Sequence, residues 1–127
     1  MIESTALALR LAALADSKLA EDIVVLDMRE LVSYTDFLVI ASARNERQLN
    51  SVIDEVRLRI KDEEGLVPGQ TEGGGVAGWA VLDYLDSVLH VFTPEARERY
   101  DLEELWRDAP RVEIPQTETP VPRRATA

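Results

Sequence analysis

Residues 45–65 read as a helix with one apolar stripe, and a helix of that kind is stable only when laid on another surface. Asn45 and Gln48 have capping-box spacing. Leu49, Val52, Ile53, Val56 and Ile60 follow at intervals that share one helical face. Arg57, Arg59, Lys61, Asp54 and Glu55 fall largely outside that face, and Gly65 is placed to end the helix.

Two short apolar runs upstream can supply the surface. Ile23–Leu26 and Phe37–Ala41 read as buried strands, separated by enough chain for a short loop or one helical turn. Residues 4–16 predict a first helix, with Ser4 or Thr5 as cap and Leu7, Leu11 and Leu14 in register. Downstream, Trp79–Asp83 and Ser87–Phe92 read as strands. Tyr84, Leu85 and Asp86 between them are too few for a crossover, so an antiparallel hairpin is expected. Thr93-Pro94-Glu95 opens another helix, and Asp101 with Glu104 repeats the capping-box spacing before Leu102, Leu105 and Trp106. Asp108-Ala109-Pro110 ends it. The expected fold is α/β (α+β), a mixed sheet flanked by helices.

The chain's 127 residues suit one domain. Residues 1–110 hold 22 acids against 11 bases, whereas 111–127 hold Pro115, Pro120 and Pro122 and no apolar periodicity. A domain over 1–110 and a Pro-rich flexible tail over 111–127 are therefore expected. A net charge of −10 disfavours DNA or bulk RNA and favours basic proteins as partners. With no cysteine and a single histidine, thiolate chemistry, disulfides and multi-histidine metal sites are not expected. Nothing reads as a membrane span or signal peptide, so a cytoplasmic protein is expected.

Catalytic candidates are weak. The six glycines from Gly65 to Gly78 read as a mobile loop of about a dozen residues. They lead into a strand at Trp79 rather than into a helix N-terminus, and no Lys follows Lys61, so a phosphate cradle is disfavoured. Asp36 precedes a strand that a helix follows, but its alternate position is Leu38, so no carboxylate pair for two metals is formed. His90, mid-strand, faces either a polar surface or a satisfied core position. No catalytic residue, metal ligand or cofactor site is assigned. The hairpin remains. Alternation puts Trp79, Val81 and Asp83 on one face and Ala80 and Leu82 on the other. Trp79 beside acid suits either a protein interface or a core position.

The chain resembles the Iojap family of ribosomal silencing factors. The resemblance rests on Ala20–Asp27, Tyr34–Ser42 with Arg47-Gln48, Gly78–Asp86, His90-Val91-Phe92 and Tyr100–Pro110. It implies a nucleotidyltransferase-like fold without the catalytic centre. It further implies binding to the large ribosomal subunit through large-subunit ribosomal protein fourteen, a block on subunit joining, lowered translation in starvation, and a homodimer. The implied partner-binding residues are Trp79, Leu82, Asp83, Tyr84, Asp86 and His90, and Leu85 stands where many members carry Gly. A large-subunit assembly adaptor and a divergent nucleotidyltransferase enzyme are the alternatives.

Overall fold

The structure is a computed structural model that describes residues 2–74 and 76–115. Along the chain lie α1 (Ser4–Ser17), β1 (Glu21–Asp27), β2 (Phe37–Ser42), α2 (Glu46–Glu64) and β3 (Gln70–Gly74). They are followed by β4 (Trp79–Asp83), β5 (Ser87–Phe92), α3 (Pro94–Tyr100) and α4 (Leu102–Leu105). The cap of α1 is Glu3, one residue before the expected Ser4 or Thr5. Its carboxylate accepts the Ala6 N–H at 3.0 Å, where the helix dipole also favours negative charge.

The α2 stripe is buried at all five expected positions, each worth roughly 1.5–3 kcal/mol relative to exposure. Asn45 Oδ1 caps it by accepting the Gln48 N–H at 2.8 Å. Gln48 does not complete the box on Asn45. Its Oε1 accepts the Arg44 N–H at 2.6 Å, and its Nε2 donates to the carbonyls of Lys18 and Leu19 at 3.1 and 2.9 Å. One side chain thus fastens the start of α2 to the end of α1. Gly65 ends the helix in the left-handed region, as expected.

The sheet order is β1-β2-β5-β4-β3, with β2 and β5 parallel and the other neighbours antiparallel. Strand β3 corrects the expectation of a dozen-residue mobile loop. Gln70 to Gly74 pair with Asp83 to Trp79, because the open edge of β4 offers ladder hydrogen bonds that need no apolar alternation. Gly73 is required there: its φ is 78° and a Cβ would fall 1.8 Å from the Trp79 carbonyl oxygen.

Helices α1 and α2 cover one face of the sheet, burying Val25, Phe37, Val39, Leu82, Leu89 and Val91 among others. On the other face Leu26, Leu38, Ile40 and Phe92 are buried with Ala96 of α3, Ala109 and Met28. The architecture is α+β, a mixed sheet with helices on both faces. Asp101, at φ 46°, ends α3 and starts α4 without a side-chain cap, so the expected Asp101–Glu104 box is not made. A left-handed residue cannot present the extended N-cap geometry that such a box needs. Arg97 organises this corner instead, donating to Glu103 at 2.9 Å and to Ser42 Oγ at 2.7 Å.

The chain does not leave the fold at residue 110, where the sequence reading puts the boundary. Asp27 N–H donates to the Pro110 carbonyl and Val112 N–H to the Val25 carbonyl, both at 2.8 Å. Val112 and Ile114 also pack on the core beneath α1 and α2. The reason is the outer edge of β1, whose backbone groups need partners that periodicity in 111–115 does not advertise. The rest of the expected tail, 116–127, lies outside the described residues.

Candidate docking site

Register brings the site together. Trp79, Val81 and Asp83 on β4 stand opposite Phe92, His90 and Val88 on β5, all on the face away from α1 and α2. Phe92 at one end is fully buried, whereas Trp79, Val81, Asp83, Val88 and His90 are each partly exposed. An open strip of sheet results.

Aromatic packing fixes its upper end. The Trp79 ring lies 5.3 Å from Phe92, 5.9 Å from His90 and 4.4 Å from Tyr100, measured between centroids. Its Nε1–H donates to His90 Nδ1 at 3.1 Å, which places the imidazole proton on Nε2. Burial pushes the His90 pKa down to about 4, against an opposing pull from Asp83. At neutral pH the imidazole is uncharged. The strip is therefore an apolar and aromatic surface whose carboxylates lie toward the β4–β5 turn.

That turn is tightly tied. Tyr84 N–H donates to the Ser87 carbonyl at 3.0 Å, Asp86 N–H to the Tyr84 carbonyl at 2.9 Å, and Leu85 N–H to Asp83 Oδ1 at 2.8 Å. Asp86 is exposed, and its carbonyl accepts the N–H groups of Asp36 and Phe37 at 2.9 and 3.1 Å.

Of the six expected binding residues, Trp79, Asp83 and His90 share the open face, and Asp86 adjoins it at the turn. Leu82 and Tyr84 do not. Leu82 is fully buried and Tyr84 is 7% exposed, both in the core beneath α1 and α2, because even-numbered positions along β4 face the helices. Among the described residues the Tyr84 hydroxyl has no hydrogen-bond partner, and desolvation raises its pKa to about 12. Neither side chain is placed for surface contact. Val88 and Tyr100 were missing from the expected set. The hairpin register carries the signal for Val88, whereas Tyr100 reaches Trp79 only through the placement of α3.

Elsewhere the chemistry is sparse. Leu38, the alternate position after Asp36, is buried beside α3. Among the described residues no group of three or more His, Asp or Glu side chains is placed to hold a metal. No helix among them is long and apolar enough to cross a membrane.

The family described as "Ribosomal silencing factor during starvation" matches this sequence over residues 1–127. The chain belongs to the ribosomal silencing factor family. A Halalkalibacterium halodurans ribosomal silencing factor is 37% identical over 78% of this chain and 84% of its own length. Its Bacillus subtilis counterpart is 36% identical over 81% and 86%. A mouse protein named for mitochondrial assembly of the ribosomal large subunit is 30% identical over 68% of this chain and 39% of its own. A crystal structure of a Bacillus halodurans protein superposes with a TM-score of 0.71, at 34% identity, covering 84% of this chain and 96% of that one. Ribosomal silencing factors are not an enzyme family.

Proposed function

We propose that this protein is a cytoplasmic translation regulator that docks on the large ribosomal subunit through large-subunit ribosomal protein fourteen and sterically blocks subunit joining. The observation that carries the reading is the strip of Trp79, Val81, Val88 and His90, a partly exposed piece of sheet with Asp83 and Asp86 at its end. Aromatic anchors in an apolar patch suit a protein interface. Acid at its edge attracts a basic ribosomal protein and repels RNA phosphate. The family description adds the ribosomal context. A homodimer belongs to the same reading, as an expectation from the family resemblance.

The test is sedimentation with separated subunits, followed by subunit reassociation. Wild type is expected to pellet with large subunits only and to reduce assembled ribosomes. Val81→Arg, which sets a cation in the strip, should abolish both effects while the protein stays folded. Equal pelleting with both subunits, or unaltered binding by Val81→Arg, rejects this docking face. The name of the mouse relative favours a second reading, an adaptor in large-subunit assembly. Large-subunit binding without any effect on reassociation would select it.

A further inference from the structure

Trp79 and His90 divide the work of the strip between them. A phenyl ring at position 90 would stack on Trp79 and Phe92 with no ring nitrogen to desolvate. An imidazole stands there instead, and the indole N–H takes up its Nδ1 at 3.1 Å. The ring is uncharged at neutral pH, so its one proton is left on Nε2. The bond selects one tautomer out of two.

That Nε2–H meets no acceptor among the described residues. Its neighbours have none to offer: Val81 lies opposite on β4, Ile40 opposite on β2, and the rings of Trp79 and Phe92 stack beside it. Among the described residues the Tyr84 hydroxyl is the side-chain polar group that is both enclosed and unpartnered, so Nε2 opens onto the partly exposed face. The strip thus presents a directed donor, fixed in place, in apolar surroundings. A partner surface that covered it without an acceptor would strand a polar group and lose affinity. Asp83, whose charge reaches the imidazole, repels an anionic acceptor such as a phosphate or a carboxylate. The matching group is an uncharged carbonyl on a protein.

We infer that Trp79 acts in docking as a positioning residue, its indole locking His90 in the Nε2–H tautomer so that this donor meets a main-chain carbonyl of the protein partner. This rests on the docking reading above and names its directional contact. The family resemblance implies both side chains as contacts, whereas the hydrogen bond between them gives each a different role.

The experiment separates the donor from the ring. His90 is the chain's one histidine, so its ring nitrogens give an unambiguous nitrogen NMR signature. Free wild type at pH 7 is expected to show the Nε2–H tautomer alone. Trp79→Phe, which keeps an aromatic ring and removes the indole N–H, should show both tautomers. Pelleting with large subunits then compares three variants of position 90. His90→Phe keeps the stack and lacks the donor, His90→Gln lacks the stack and places an amide N–H near the position of Nε2, and His90→Asn falls short of it. His90→Phe and His90→Asn should weaken binding by about tenfold or more, and His90→Gln should recover most of that loss. Should His90→Phe fail to fold, the contrast of Asn with Gln and the wild-type spectrum still decide. Wild-type binding by His90→Phe, no recovery in His90→Gln over His90→Asn, or both tautomers in wild type overturns the lock. If Val81→Arg abolishes binding in that event, the docking strip stands without it. Failure of wild type to pellet with large subunits removes both readings.

Discussion

The indole N–H of Trp79 ends on Nδ1 of His90, 3.1 Å away across the β4–β5 ladder. That bond exists only while Nδ1 is unprotonated, so it links the shape of the open strip to the charge state of the chain's one histidine.

Acid should therefore loosen this region. His90 has a folded pKa of about 4 against an ordinary 6.5, so between these values the unfolded chain binds a proton that the folded one does not. Stability is present in full above pH 6.5 and falls as pH drops toward 4, by roughly 3 kcal/mol from this residue. Urea denaturation at pH 7, 5.5 and 4.5 measures it. Carboxylates held low by arginines, such as Asp27 and Glu103, also lose stability in acid. The effect of His90 is read as the difference from His90→Gln, whose profile should be flatter. Parallel profiles would exclude His90 as the source.

Tyr84 separates a buried ring from a buried hydroxyl. Its hydroxyl lacks a partner among the described residues, so Tyr84→Phe should be neutral or stabilising by about 1 kcal/mol. Tyr84→Ala should cost about 3–5 kcal/mol by leaving a cavity under α1 and α2. A loss of more than 1 kcal/mol in the phenylalanine variant would mean that the hydroxyl is satisfied in solution.

The strap along β1 gives a length-dependent stability. A chain ending at Pro115 keeps the Val112–Val25 hydrogen bond and the packing of Val112 and Ile114, and one ending at Arg111 loses them. The shorter chain is expected to be less stable by about 2–4 kcal/mol, from two apolar side chains and one backbone bond. Equal melting temperatures would show that the strap contributes nothing.

Gly73 should be intolerant of any side chain. At φ 78°, with the Trp79 carbonyl oxygen in the space a Cβ would take, Gly73→Ala must break the β3–β4 pairing or move Trp79. A cost of about 3 kcal/mol or more is expected. Gly65→Ala, with nothing near its Cβ position, should cost about 1 kcal/mol. Similar losses for the two would contradict the close approach at Gly73.

Much was legible in order along the chain. The α2 stripe, the two apolar strands, the 79–92 hairpin and the Gly65 stop are local patterns, set by helical and strand periodicity acting on neighbouring residues. The alternation of β4 even indicated that Leu82 faces away from Trp79, which the burial of both Leu82 and Tyr84 follows. The net charge of −10 was legible at once, and with it the expectation of basic partners, because charge sums over residues without regard to fold. Tertiary structure decided the rest. Strand β3 and the β1 strap are joined by backbone hydrogen bonds to exposed sheet edges, and backbone groups leave no trace in side-chain pattern. Which part of the sheet stays open depends on where α3 comes to lie. That placement sets Tyr100 against Trp79 and buries Phe92, while Val81, Val88 and His90 remain partly exposed, and it follows from long-range packing rather than from any local run of residues.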